Sequence, residues 1–164
     1  MRLGVGTIDG VIGWEMSIRN QMQIRFSWAS PDQLADCLEV EKNAGTTWSH
    51  PKEYFEESVR YQRVLLAQAG EQAVAYLVYE VIWGNTAFLS LLKVLPNYQR
   101  QGIGKSMVKV LEERLISLGF KTYVTSSETV NPNTKRFFPD LRFVRIGELQ
   151  MEHGEEIFYF KKLT

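Results

Sequence analysis

LLKVLPNYQRQGIGKS, residues 91–106, is an apolar strand-like run that stops at Pro96-Asn97 and restarts, through Gly102 and Gly104, as a helix. Glycine lets a backbone approach a ligand without Cβ interference. The first N–H groups of a helix have no intrahelical partner, and the positive end of the helix dipole lies behind them. Lys105 and Arg100 add cationic charge beside these groups. Strand, glycine turn and helix in this order make a device for holding a phosphate or pyrophosphate.

Three glycine loops share parts of this pattern. A P-loop, G-x-x-x-x-G-K-[ST], finds its tail in Gly104-Lys105-Ser106 but meets Gln99 where its first glycine belongs. A dinucleotide fingerprint needs a third glycine where Met107 stands. An acyl-CoA loop, Q/R-x-x-G-x-G/A, is filled at all six positions by Gln99, Arg100, Gln101, Gly102, Ile103 and Gly104. A plain strand–turn–helix with two glycines is the alternative to all three.

Working outward, three runs precede the loop as consecutive antiparallel strands: 63–68, 73–83 and 86–95, the last two joined by a tight turn at Gly84-Asn85. The helix after the loop, 102–118, has Ile103, Met107, Val110, Leu111, Leu115 and Leu118 on one face and Gly119 as its stop. Residues 122–127 form a short β-branched strand, set beside the preceding one by the crossover helix. A helix at 133–138 and strands at 141–148 and 156–162 complete the C-terminal part. Upstream, 22–28 reads as a strand. Ser30-Pro31 opens a helix to about Lys42, and Pro51 opens a second to about Tyr61. Residues 1–21 read as an N-terminal extension that could add a small hairpin or an edge strand.

Read with its strand, VLPNYQRQGIG resembles the motif of the GNAT family of N-acetyltransferases. A second segment, Asn131 to Phe143, is similar to the family's late pattern N-x-x-A-x-x-F-Y-x-x-x-G-F: Asn131, Phe137 and Phe143 match, while Thr134, Phe138 and Arg142 replace the small residue, the tyrosine and the glycine. The order β-α-α-β-β-β-α-β-α-β-β is also the family's. The resemblance spans roughly Met22 to Lys162. It implies an α+β fold with a central, mixed, mostly antiparallel and splayed sheet flanked by helices, with 22–164 as a single acetyltransferase domain.

The resemblance also implies a chemistry, transfer of an acetyl group from acetyl-CoA to an amine acceptor. The pyrophosphate would rest on the backbone from Gln99 to Lys105, and the pantetheine arm on Leu92, Lys93 and Val94. The Val94 N–H would serve the thioester oxygen, a donor worth roughly 2.7–4 kcal/mol. Asn131 would contact the cofactor. Proton management departs from the pattern, because Phe138 stands for the usual tyrosine acid and Phe88 for a glutamate base. The nearest substitutes are Glu80 and Glu128, with Ser126 or Ser127 as relay. A non-catalytic acyl-CoA-binding or regulatory module is the alternative these losses raise, and a nucleotide-binding P-loop protein a further one.

Composition bounds the remaining choices. The 164 residues hold 45% hydrophobic and 23% charged residues, with Lys+Arg and Asp+Glu both at 19, so no charge excess argues for nucleic acid or an anionic membrane. One cysteine, Cys37, excludes an intramolecular disulfide and belongs on an apolar helix face between Leu34 and Leu38. His50, His153 and Cys37 lack the spacing of a metal site. No run reaches the ~20 apolar residues of a membrane span, and no signal-peptide pattern opens the chain, so a cytoplasmic protein is expected. Trp48, His50, Tyr54 and Phe55 could line an acceptor pocket, with acceptor choice falling to the two N-terminal helices and the loops around Trp48 and Tyr123. The C-terminal strand, Ile157–Lys162, could pair across a homodimer.

Overall fold

The computed structural model describes residues 4–8, 11–18, 22–45, 49–129 and 134–164. Three strands come first, β1 (Gly4–Ile8), β2 (Val11–Ser17) and β3 (Gln23–Trp28), then the helices α1 (Leu34–Asn43) and α2 (Lys52–Arg60). Next come β4 (Val64–Ala69), β5 (Gln72–Ile82), β6 (Thr86–Val94) and the helix α3 (Ile103–Ser117). β7 (Thr122–Glu128), α4 (Thr134–Asp140), β8 (Val144–Met151) and β9 (Gly154–Lys162) end the chain. The strands follow the order β1-β2-β3-β4-β5-β6-β7-β9-β8. This is the expected α+β architecture, a large, splayed, mixed sheet flanked by helices.

The chain divides into two compact units, Met1–Val78 with Leu91–Leu111, and Tyr79–Ser90 with Glu112–Thr164. In the first, β1 to β5 form antiparallel ladders. Ile24 and Phe26 alternate inward from β3, as a half-buried strand requires. Val64–Ala67 and Val74–Val78 are buried without alternation, as befits strands covered on both faces. Cys37 and Val40 of α1 and Phe55 and Val59 of α2 pack with Val64, Leu66, Tyr76 and Val78 in one core cluster. Cys37 is thus a core residue, and burial, followed by the Asp36 carboxylate, pushes its thiol up to about 12. β1 and β2 pair antiparallel, from Gly4↔Glu15 to Ile8↔Val11, and β2 pairs with β3 through Trp14–Ser17.

β6 and β7 are parallel, joined by the α3 crossover that a parallel pair needs. Their ladder runs from Ala87↔Tyr123 to Leu89↔Thr125, and β6 continues to Val94. β9 lies antiparallel to both β7 and β8. Tyr123, Thr125 and Ser127 of β7 and Ile157 and Tyr159 of β9 are buried. Tyr123 lies in the strand expected at 122–127 and is buried; its hydroxyl donates to Glu112 Oε1 at 2.5 Å. Burial and then that carboxylate push the phenol well up.

Several local expectations need correction. Ser30-Pro31 opens a 3-10 turn, Pro31–Gln33, with the Gln33 carboxamide accepting the Ser30 backbone N–H, and α1 proper begins at Leu34. The β5–β6 turn centres on Trp83 (φ 52) and Gly84 (φ 77), one residue earlier than expected. α3 ends at Ser117 and leaves Leu118 exposed; Gly119 (φ 87) closes the helix as a C-terminal glycine should. β8 begins at Val144, because Arg142 (φ 66) first stops α4 with its N–H on Pro139 O. Arg142 thereby occupies a left-handed position that favours glycine, the residue it replaces in the family pattern. The C-terminal strand has both edges paired, so it cannot pair across a dimer; β8 is the outer strand instead.

Candidate functional site

The glycine loop lies in the first unit and is shaped by its own side chains. After β6, a 3-10 turn at Pro96–Tyr98 reverses the chain, anchored by the Leu95 N–H on Val74 O at 2.9 Å. Gln99 does not project as a ligand; its Nε2 donates to Val94 O at 2.9 Å and ties the loop to the end of the strand. Gln101 Nε2 likewise donates to Asn97 O at 3.0 Å. Arg100 (φ 57) and Gly102 (φ 85) take left-handed conformations, which only glycine adopts without strain. The first intrahelical hydrogen bond of α3 runs from Ser106 N to Gly102 O at 3.0 Å, so the N–H groups of Ile103, Gly104 and Lys105 precede the ladder. The first turn carries no acidic residue, while Arg100 and Lys105 are exposed. The residues present fit an anionic diphosphate. Ile103 turns inward and is fully buried, so it serves through its backbone alone.

Leu92, Lys93 and Val94 form the end of β6, half-buried. The Lys93 side chain is committed elsewhere. Its Nζ lies 2.6 Å from Glu41 Oε2, with the two side chains 11% and 5% exposed. Tyr76 Oη donates to the same Glu41 oxygen, and the His50 backbone N–H donates to Glu41 Oε1 at 2.8 Å. His50 Nδ1 lies 3.6 Å from Oε1, and the His50 ring lies tilted by 37° against Tyr54, with ring centroids 4.9 Å apart. Burial works to raise the Glu41 carboxyl, but hydrogen bonds from Lys93, Tyr76 and the His50 N–H outweigh it and hold the group below its ordinary value. Burial, and then the Glu41 carboxylate, push the Tyr76 phenol well up. The cluster joins α1, β5, β6 and the segment before α2 through one carboxylate. Sequence reading missed Glu41 and Tyr76. The available signal was the α1 stripe Leu34, Cys37, Leu38, where Glu41 continues the helical spacing with a charge that needs a buried partner.

The expected acid–base residues have unlike surroundings. In the second unit, Glu80 accepts the Ser90 hydroxyl at 2.8 Å, across the β5–β6 hairpin. Glu128 is exposed at the end of β7, and Ser126 is half-buried. Ser127 is buried, and its hydroxyl has no hydrogen-bond partner among the described residues. Phe138 packs against Phe143 at 5.3 Å and Tyr159 at 5.2 Å, so the position of the missing acid has become hydrophobic core. Phe88 is half-buried on β6. Asn131 and Trp48 lie outside the described residues. Among the described residues no group of three metal-ligating side chains gathers, and no helix is long and apolar enough to cross a membrane.

Solved acetyltransferases share this fold. The chain is similar to the ribosomal-protein-S18-alanine N-acetyltransferase of Escherichia coli at 18% identity and a TM-score of 0.74, covering 86% of this chain and 94% of that one. Ard1 of Thermoplasma volcanium is similar at 16% identity and a TM-score of 0.76, over 86% and 98%. The PaiA N-acetyltransferase of Thermoplasma acidophilum, solved in complex with coenzyme A, is similar at 19% identity and a TM-score of 0.66, over 86% and 99%. No curated protein matches the chain. The model of the acetyltransferase (GNAT) family matches residues 27–142, most of the chain and the whole of the strand–glycine-loop–helix unit. The chain belongs to the GNAT family of acetyltransferases.

Proposed function

We propose that this chain transfers an acetyl group from acetyl-CoA to a primary amine by direct attack in a ternary complex. The observation that carries the reading is the loop from Gln99 to Lys105, with left-handed backbone at Arg100 and Gly102, a side-chain tether at Gln99 and a helix start free of carboxylates. Backbone N–H groups of Arg100, Gln101, Gly102, Ile103, Gly104 and Lys105 hold the pyrophosphate, and Arg100 and Lys105 balance its charge; the Gln99 N–H is taken by Pro96 O, so Gln99 acts by bracing the loop. Backbone of Leu92, Lys93 and Val94 aligns the pantetheine amides as an added strand would be aligned. Asn131 is retained as a further contact on the strength of the sequence pattern.

Acetyl-CoA, when bound, supplies the acetyl thioester. The Val94 N–H donates to the thioester oxygen as negative charge gathers there. A new C–N bond forms as the C–S bond breaks, the amine loses one proton and the thiolate gains one. Glu80 and Glu128 are the carboxylates that accept the amine proton, directly or through water. The buried Ser127 hydroxyl hydrogen-bonds the departing sulfur. Positioning alone supplies about 7–11 kcal/mol in reactions of this order, so loss of the tyrosine acid at Phe138 leaves most of the rate enhancement in place. A second reading, a non-catalytic acyl-CoA-binding module, is favoured by one observation, the burial of Phe138 in an aromatic cluster.

Calorimetry with acetyl-CoA on the native chain and on Gly102→Trp tests the cofactor, and CoA release across an amine panel tests the chemistry. Binding lost in the variant, with release by the native chain, is expected. Binding without release from any amine selects the second reading, and absence of binding refutes both.

A further inference from the structure

β8 is the outer strand of the β7-β9-β8 order, and every one of its residues is exposed. Val144, Ile146, Leu149 and Met151 are 61%, 57%, 52% and 38% exposed. An edge strand with this much apolar surface and no proline is a template for another strand. Its register against β9 shows what kind. Val144 stands opposite Phe160, Leu149 opposite Glu156 and Met151 opposite Gly154, so these three share one face. Arg145 and Glu148 stand opposite Tyr159 and Ile157 and share the other face. Residues 144 and 149 would lie on opposite faces of a regular strand. The irregularity between Arg145 and Gly147 brings them onto the same one. The ion pair between Arg145 and Glu148 agrees with that placement.

Residues directly opposite each other in an antiparallel ladder share a face. When β8 meets a second β8 across a two-fold axis, the register centred between Ile146 and Gly147 obeys this rule. It sets Val144 opposite Leu149 of the second copy and Arg145 opposite its Glu148, each twice by symmetry. A centre on Ile146 would put Val144 opposite Glu148, and a centre on Gly147 would put Arg145 opposite Leu149. We propose that β8 is a self-association surface, through which two copies of this chain pair antiparallel and exchange the Arg145–Glu148 ion pair between them. The occupant is a second copy because the strand is complementary to itself in both charge and apolar residues.

Sedimentation velocity on the full chain, from low to high micromolar, tests this. The native chain is expected to dimerise. Glu148→Arg sets arginine opposite arginine, and Arg145→Glu sets glutamate opposite glutamate; each raises the dimer dissociation constant about tenfold or more. Mixing the two variants restores opposite charges, and native mass spectrometry should show the heterodimer. The double variant Arg145→Glu/Glu148→Arg keeps the intrachain ion pair and should dimerise like the native chain, which separates a lost interface from a lost fold. A native chain that is monomeric throughout the range overturns the proposal. So does a dimer indifferent to both single reversals, or a mixture of folded variants that does not associate.

Discussion

Lys93→Met is the most informative single perturbation. It removes the cation from the Glu41 cluster while keeping an apolar side chain of similar length. Removing one partner of a buried ion pair costs about 3–5 kcal/mol, because the remaining charge stays desolvated. Glu41 keeps the Tyr76 hydroxyl and the His50 N–H, so the low end, about 3 kcal/mol, applies. At about 2–4 °C per kcal/mol for a domain of this size, Tm should fall by about 6–12 °C at pH 7. The pH dependence carries a second signature. In the native chain the Glu41 carboxyl is held below its ordinary value of 4.5, so its contribution is present above that value and is lost as pH falls below it. In Lys93→Met the principal lowering hydrogen bond is gone, which moves the carboxyl upward from its native position. The penalty is then largest at neutral pH and is relieved as acid protonates Glu41. Calorimetric scans of both proteins from pH 7 to pH 4 should show the Tm difference narrowing. A loss under about 2 °C at pH 7, or a difference that does not change with pH, would refute the reasoning. Glu41→Gln/Lys93→Met should lose less than the sum of its single variants, since it leaves no unpaired charge.

Other perturbations separate site from scaffold. Ser127→Ala removes a buried hydroxyl without a partner among the described residues, so thermal stability should be unchanged or slightly higher. The same variant should lower kcat without altering acetyl-CoA affinity by calorimetry; unchanged kcat removes Ser127 from the mechanism. Gln99→Ala cuts the tether to Val94 O and should weaken acetyl-CoA binding about fivefold, the value of one modest hydrogen bond. Arg142→Gly relieves a left-handed arginine at the end of α4, and a gain of about 0.5–1 kcal/mol should appear as a higher Tm. Cys37, buried with its thiol pushed up to about 12, should resist a thiol reagent in the native chain and react on unfolding.

The sequence by itself determined the element order, the glycine loop and the family, because these rest on local chemistry. Alternation marks β3, helical spacing marks α3, and Gly102 and Gly119 sit where left-handed backbone is required. Arg142 shows the limit of such reading. Its mismatch with the family glycine is visible in the sequence, but its left-handed φ is imposed by the α4 ending and the packing of Phe138 and Phe143. Only tertiary structure decided the partners of long side chains. Lys93 reads as a strand residue beside a cofactor arm until α1 brings Glu41 against it, from residues far away in the chain. Gln99 reads as a ligand until the turn returns its amide to Val94 O. The edge of the sheet is likewise a matter of strand order. Both C-terminal strands have β character, but β9 lies inside and β8 is left with its apolar residues in solvent, because hydrogen-bond pairing is long-range and no local pattern encodes it.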